Sequence, residues 1–389
     1  MAEIGVGLVG YKFMGRAHSN AYRQVGHFFD VDPVPRMRAI CGRDEAATRE
    51  AAAALGWEGY ETDFRRLVAR DDIGLVDVST PGDTHRQVVM AALAAGKHVF
   101  CEKPLANSLD EAREMTAAAK RAGVVAMVNF NYRRVPAVQL AQRWIAAGRI
   151  GEVRHWRAVY LQDWINDPSF PLVWRLRREV AGSGALGDIA AHIVDLSHFL
   201  IGPITEVVGT LDTFIRERPL EAPSGGGAGL AAAGGTEMGT VTVDDATTFL
   251  ARFANGATGT FEATRLAAGR RNFNSFEVNG STGTIVFNLE RLNELRVYFG
   301  DDAAGEQGFR TINVTESVHP YAGAWWPAGH ILGWEHALVH TVKDLLDGIK
   351  RGESPGATFE DGFRCQAVLD AVAQSAGSRG WTAPAELGI

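Results

Sequence analysis

Residues able to do chemistry gather in four short stretches of this 389-residue chain. Gly10-Tyr11-Lys12-Phe13-Met14-Gly15 follows an apolar run, Ile4 to Val9, and precedes a helical pattern through Ala17, Ala21 and Val25. In a dinucleotide-binding turn the first glycine allows the tight bend, the second lets backbone approach the pyrophosphate, and the third lets helix pack on strand. Here Lys12 takes the second place, where its charge can face phosphates drawn to a helix N-terminus. The overlapping Gly5-Val6-Gly7-Leu8-Val9-Gly10 has the same spacing but lies inside the strand and presents no helix start. On its own the turn reads either as a nucleotide site or as a glycine-rich link between strand and helix.

The second stretch, Cys41-Gly42-Arg43-Asp44, ends the next apolar strand. An acid there would bind the ribose 2′-hydroxyl of NAD, and an arginine the 2′-phosphate of NADP. Gly42 holds the acid's place, Arg43 suits a phosphate or stacking on adenine, and Asp44 can reach a ribose hydroxyl. Arg43 tilts the expectation toward NADP, against a solvated Arg-Asp pair that merely opens a helix. The cofactor therefore stands as NAD or NADP.

Third comes Glu102-Lys103-Pro104 at the end of a strand. A lysine at the carboxyl edge of a parallel sheet lies where ligands bind, and its ammonium can hydrogen-bond a hydroxyl and handle its proton. The alternative is a surface turn. Fourth is the run from Gly182 to Asp195, in which a helix would set Asp188 and His192 four residues apart on one face, with Asp195 one turn on. A histidine paired with a carboxylate is an acid/base at physiological pH. The glycine-rich lead-in is expected to let a ligand approach the helix start. A plain helix-surface pair remains the competing reading. No third ligand completes a zinc site, so no metal is expected.

The elements that must position these residues alternate over the first 125 positions. Strands are expected at Met37 to Cys41, Leu75 to Ser79, His98 to Cys101 and Val124 to Asn129. Helices are expected at Glu45 to Leu55, His85 to Ala95 and Leu109 to Ala122. Such alternation implies right-handed crossovers and a doubly wound parallel α/β sheet. Beyond residue 130 the pattern changes to a helix from Val138 to Ala147, a strand from Val153 to Gln162, a helix after Gly184, and successive strands from Thr205 to Phe299. Tight turns at Asn255-Gly256 and Asn279-Gly280 to Gly283 point to a largely antiparallel sheet. Pro219 to Gly239, rich in Gly, Ala and Pro, reads as a surface loop. Helices at Glu335 to Leu346 and Phe359 to Ala376 close the chain. The expected fold is a Rossmann domain over 1–128 and an α+β domain with a large open sheet over 129–389, the last helices packing back on the first domain.

Composition narrows the partners. With 46% hydrophobic and 22% charged residues the chain can build two cores, and a net charge of -7 disfavours nucleic acid and anionic membrane. Three scattered cysteines, Cys41, Cys101 and Cys365, make no disulfide framework, and neither a leader nor a membrane-length apolar run is evident, so a cytoplasmic location is expected.

Together these stretches resemble a known family. Phe13-Met14-Gly15-Arg16-Ala17-His18, Thr80-Pro81 with His85, Glu102-Lys103-Pro104, Asn131-Tyr132-Arg133-Arg134, and Asp188 with His192 resemble, over essentially the whole chain, the glucose-fructose oxidoreductase / inositol dehydrogenase / rhizopine-catabolism family. Tyr160-Leu161-Gln162-Asp163-Trp164, Ala181 to Asp188 and Val243-Asp244-Asp245 are most similar to the levoglucosan dehydrogenases within it. The chain departs from the family pattern at Lys12 and at Gly82, where Asn often follows Thr-Pro; both bear on the cofactor site.

The resemblance implies an NAD(P)-dependent oxidoreductase of sugars, anhydrosugars or cyclitols, with Lys103, Asp188 and His192 catalytic. It also implies cofactor contacts from Gly10, Lys12, Phe13, Met14, Gly15, Arg43, Ser79, Thr80, Pro81, His85, Glu102, Lys103, Asn131, Trp174 and Arg175. Tyr132, Arg133, Gln162, Asp163 and Trp164 are the expected sugar contacts, because sugars call for multidentate polar groups beside an aromatic face. For Trp164, Trp174, Trp325 and Trp326 plain packing is the competing reading. In the expected mechanism His192 takes the hydroxyl proton as hydride leaves, Asp188 orients the imidazole or a hydroxyl, and Lys103 stabilises oxyanion charge. A homo-oligomer, dimer or tetramer, follows from an open sheet with one uncovered face. A glycosidase using NAD for transient oxidation and a non-catalytic nucleotide sensor are the alternatives.

Overall fold

The computed structural model describes residues 2–222 and 233–388. They form two compact units, Met1–Asn131 with Trp334–Gln366 and Leu387–Ile389 in one, and Tyr132–Gly333 with Ala367–Glu386 in the other.

The first unit runs β1 (Glu3–Val9), α1 (Phe13–Phe28), β2 (Val34–Cys41), α2 (Glu45–Leu55), β3 (Gly59–Glu61), α3 (Phe64–Val68), β4 (Leu75–Val78), α4 (His85–Ala94), β5 (His98–Cys101), α5 (Leu109–Ala122) and β6 (Ala126–Val128). All strand pairs are parallel, in the order β3-β2-β1-β4-β5-β6. This is the doubly wound Rossmann arrangement that the alternation predicts. Leu75, Val76, Val78, Val99, Phe100 and Cys101 are buried because helices cover both faces, which is why these strands read as unbroken apolar runs. Local chemistry sets the helix ends. Asp44 and Ser108 accept the Ala47 and Glu111 N–H groups at the starts of α2 and α5, and left-handed Gly56 and Gly123 end them. The sequence pattern missed β3 and α3, which are too short to show a period.

The second unit contains α6 (Pro136–Ala146), β7 (Val153–Leu161), α7 (Arg178–Ala181), α8 (Ala191–Leu200), β8 (Ile204–Asp212), β9 (Glu217–Glu221), β10 (Gly234–Thr240), β11 (Ala246–Phe253), β12 (Thr258–Thr264), β13 (Phe273–Gly280), β14 (Gly283–Asn288), β15 (Glu294–Phe299) and β16 (Arg310–Asn313). The chain closes with α9 (Trp334–Arg351) and α10 (Phe359–Ser378). Eight strands form one sheet, β16-β15-β14-β13-β7-β12-β11-β8, antiparallel except where β12 runs parallel to β7. The stretch Pro219 to Gly239 is not simply a loop: its flanks lie in β9 and β10, which pair as an antiparallel ribbon, while 223–232 lie outside the described residues. Glycine-rich β10 shows no apolar alternation, so composition concealed it.

One face of the large sheet holds the core. Trp156 stacks on Phe276 at 5.1 Å, Phe276 on Phe287 at 5.3 Å, and Phe249 on Phe261 at 4.4 Å. The other face is mixed, since Thr248, Arg252, Thr260 and Glu262 stand out beside Leu250 and Val286; it is less apolar than the expectation of an oligomer surface required. Phe276 lies between two rings and its truncation cannot be filled by either. Phe276→Ala is expected to cost about 3–5 kcal/mol, lowering the melting temperature by roughly 6–20 °C in a calorimetric scan. Among the described residues no helix is long and apolar enough to cross a membrane.

Candidate active site

In the first unit the turn after β1 is built by glycines. Gly10 has φ +105°, and a Cβ there would lie 2.9 Å from the Ser79 carbonyl oxygen. A Cβ on Gly15 would come within 2.3 Å of the Gly10 carbonyl oxygen, so α1 packs this closely only without one. Lys12 has φ -75° and needs no glycine. It stands at the start of α1 with no side-chain cap, unlike Asp44 and Ser108 at the starts of α2 and α5. Asn131 is buried after β6, and its Nδ2 has no partner among the described residues. An uncapped helix start over a glycine cradle and an unspent amide donor both fit a dinucleotide.

Beneath this edge lies a buried ionic network. His18 Nδ1 meets both Asp77 carboxylate oxygens at 2.9 Å, and His18 Nε2 meets Glu102 Oε1 at 2.9 Å. Tyr22 donates its hydroxyl to Asp77 Oδ2, and Asn129 Nδ2 donates to Glu102 Oε1. Burial draws the imidazole pKa down, but the Asp77 and Glu102 carboxylates override it and push it up to about 10. Burial acts on Glu102 in the opposite sense, yet the bond from His18 holds its carboxyl below the usual range. Glu102 Oε2 also accepts the Lys103 backbone N–H at 3.1 Å, so the network reaches the residue proposed for chemistry.

In the second unit the run after Gly184 is not one regular helix. Leu186–Ala190 is a π turn carrying Asp188, and α8 follows with His192. The Asp244 carboxylate holds the lead-in, accepting the Gly184 and Leu186 N–H groups at 2.7 Å each. A Cβ on Gly184 would lie 1.7 Å from the Asp244 carbonyl oxygen. The glycine therefore admits Asp244, which corrects the expectation that it admits a ligand. His192 packs against the Tyr132 and Tyr160 rings, with centroids 4.5 and 5.8 Å away. The two phenol oxygens are 3.0 Å apart, and Tyr160 and Gln162 both donate to Asn272 Oδ1. Burial, then the neighbouring Tyr132 and Asp188, push the Tyr160 phenol well above its ordinary pKa, so it stays a proton donor. Asp188 faces the Arg265 guanidinium at 3.4 Å.

Comparison with known proteins joins these parts. Residues 4–130 match the oxidoreductase family with an NAD-binding Rossmann fold, and residues 138–286 match the GFO/IDH/MocA C-terminal domain. The chain belongs to the Gfo/Idh/MocA oxidoreductase family. It is 42% identical to a levoglucosan dehydrogenase of Pseudarthrobacter phenanthrenivorans over 98% of each chain. A solved oxidoreductase domain protein from Kribbella flavida superposes with a TM-score of 0.94 at 52% identity, covering 99% of this chain and all of that one. A levoglucosan dehydrogenase solved with NADH and levoglucosan gives 0.93 at 40% identity, covering 98% of this chain and 99% of that one.

As a Gfo/Idh/MocA oxidoreductase the chain has an NAD-binding first unit, and its side chains sort into several roles. Phe13, Met14, Thr80 and Pro81 line the carboxyl edge of the parallel sheet at least partly exposed, and Lys103 is half-buried there. Ser79 spends its hydroxyl on the Gly10 and Val9 carbonyls. His85 is buried with Nε2 toward the Thr80 carbonyl and Nδ1 toward those of Pro104 and Leu105. Glu102 belongs to the His18 network. These three were expected to touch the cofactor, and their side chains have partners within the first unit.

Arg43 is exposed, and Asp44 is committed as a helix cap. A Cβ on Gly42 would fall 2.2 Å from Tyr11 Cε1, so the Tyr11 ring fills the place of the missing acid. At Gly82, Asn107 Oδ1 would lie 2.3 Å from a Cβ, so the other departure is filled by an amide from elsewhere. Trp174 and Arg175 lie in the second unit, the guanidinium 4.3 Å over the indole.

Arg133, expected at the sugar, is buried and grips Asp195 with Nε and Nη2 at 2.9 and 2.6 Å. Tyr132 is buried against His192. Both therefore contact α8, through partners too distant in sequence to foresee. Gln162, Asp163 and Trp164 remain partly exposed, Asp163 accepting from Arg271 and Gly269, and Trp164 meeting Phe170 edge to face. Arg265, Asn272 and His18 were missed as working residues; only His18 left a trace, through its place in the family motif.

Proposed function

We propose that this oxidoreductase removes hydride from a secondary hydroxyl of a sugar, anhydrosugar or cyclitol, in the manner of levoglucosan and inositol dehydrogenases, with Lys103, Asp188 and His192 as its acid/base group. One observation carries the reading: His192, only 7% exposed, packs its imidazole against a pair of phenols one turn from a carboxylate on the same segment. NAD, when bound, supplies the hydride acceptor. His192 takes the hydroxyl proton on its imidazole, and the phenol pair keeps the ring from turning. Asp188 orients that imidazole or a substrate hydroxyl. The Lys103 ammonium stabilises negative charge on the reacting oxygen. Gln162, Asp163 and Trp164 remain the candidates for binding the sugar. Similarity over the whole chain to levoglucosan dehydrogenase supports this substrate class.

Anhydrosugars, aldoses and cyclitols offered with NAD should give reduced-nicotinamide absorbance for at least one class. Tight cofactor retention without NADH formation on any of them would instead indicate the glycosidase or sensor. NAD is proposed over NADP, since related enzymes were solved with NADH, although Arg43 offers an exposed charge for a 2′-phosphate. Arg43→Ala should weaken NADP about tenfold or more, one charge-assisted contact, and leave NAD affinity within a few-fold. Equal effects on both would show that Arg43 does not read the ribose. A homo-oligomer is proposed through the outward face of the eight-stranded sheet, and light scattering giving a monomer would oppose it. A cytoplasmic location accords with three buried free cysteines.

A further inference from the structure

Arg265 follows β12, and its side chain is 0% exposed. Its contacts are long: Nη1 stands 3.4 Å from Asp188 Oδ2 and 3.5 Å from the Arg175 carbonyl oxygen, and Nη2 donates to the Asp244 carbonyl at 3.2 Å. Nε has no partner among the described residues. Trp164 covers the guanidinium, its ring centroid 5.8 Å away. A buried cation with a donor left over is a poor device for stability, because an apolar residue of similar volume often serves as well or better. What such a pair can fix is position.

We propose that Arg265 is a positioning residue that locks Asp188 in its working orientation; this rests on the reading of Asp188 as part of the acid/base group. Two holds that share Asp244 converge on that aspartate. Asp244 grips the backbone leading into the π turn with its carboxylate, and its carbonyl grips Arg265. Arg265 then faces one carboxylate oxygen, leaving the Asp188 side chain 27% exposed where the guanidinium does not cover it. The same Nη1 reaches the carbonyl of Arg175, so the short turn Trp174–Leu176 is tied to the carboxylate as well. A proton-handling group must be held closely in its productive geometry to be effective, and a guanidinium beside the Asp188 carboxylate restricts where it can point.

The test compares R265M, R265K, D188N and the double variant R265M/D188N by steady-state kinetics, NADH affinity and thermal melting, using a sugar substrate that the full enzyme turns over. R265M should lower kcat roughly tenfold or more with NADH affinity within a few-fold, and R265K, which keeps the charge, should recover most of that loss. The double variant should be no slower than D188N, because Arg265 then has no carboxylate to place. A double variant slower than D188N by the full R265M factor, or R265M at wild-type kcat, overturns the proposal. Should R265M fail to fold, R265Q, which removes the charge but keeps a polar side chain, alone and combined with D188N makes the same comparison. D188N at wild-type turnover would overturn the reading of Asp188 and Arg265's role with it, whereas a slow D188N beside a fast R265M overturns the positioning role alone.

Discussion

His192→Ala and Lys103→Ala are each expected to lower turnover about a hundredfold or more, the scale of general acid/base assistance. For His192 the reason lies in how the neighbouring groups are engaged, and for Lys103 in the loss of the charge proposed to stabilise the reacting oxygen. Around His192 the Tyr160 phenol is held far above neutrality and spends its proton on Asn272, and the Tyr132 hydroxyl lies against it. Asp195, one turn on, is gripped by Arg133. Neither phenol nor carboxylate can stand in for the imidazole. Cofactor affinity should stay within a few-fold, since both substitutions leave the glycine turn from Gly10 to Gly15 and the Asn131 amide in place. The double variant should be little worse than either single one, because members of one proton-handling group lose their effect together. Steady-state kinetics decide it. Near wild-type turnover in the single variants would return His192 to the role of a core histidine packed on two tyrosines.

What the sequence conveyed about this molecule depended on distance along the chain. Parallel strands buried on both faces write themselves as short apolar runs between glycine and proline stops, so β5 and the helices α2 and α5 were legible to the residue. The ribbon of β9 and β10 was not, because glycine and alanine carry no alternation. Residue type singled out Asp188, His192 and Lys103 as candidates. Their supports were hidden: Arg265 reaches Asp188 from 77 positions away, Asp244 reaches Gly184 from 60, and Arg133 finds Asp195 across 62. No local pattern encodes such pairings, so Arg133 looked available to a sugar, and Arg265 looked like any arginine after a strand. His85 and Glu102 were read as ligand contacts for the same reason. A polar residue at a ligand-facing edge looks alike in sequence whether it faces the ligand or the loop behind it.

Replacing His18 by leucine should cost about 3–5 kcal/mol, because it leaves Asp77 and Glu102 as buried carboxylates without their shared cation. The wild-type protein should reveal the same network through pH. Burial opposes the charged imidazole, but Asp77 and Glu102 outweigh it and raise the pKa to about 10, against about 6.5 in the unfolded chain. The stabilisation is therefore complete below about pH 6.5. Between there and about 10 the folded chain holds a proton that the unfolded chain has released, so stability falls with rising pH, by about 1.4 kcal/mol per unit. Burial pushes the Cys41 thiol up to about 12 and raises that of Cys101 as well, so both add a decline of the same sign above about pH 8.5, and the His18 contribution is read between about pH 6.5 and 8.5. Melting temperatures followed from neutral to alkaline pH should decline in the wild type and run flatter in His18→Leu. Parallel declines in both would show that His18 is not the titrating group. Because Glu102 also accepts the Lys103 N–H, His18→Leu should depress turnover at temperatures where the variant is fully folded, as loss of the His18 contact frees the carboxylate that fixes the backbone at Lys103.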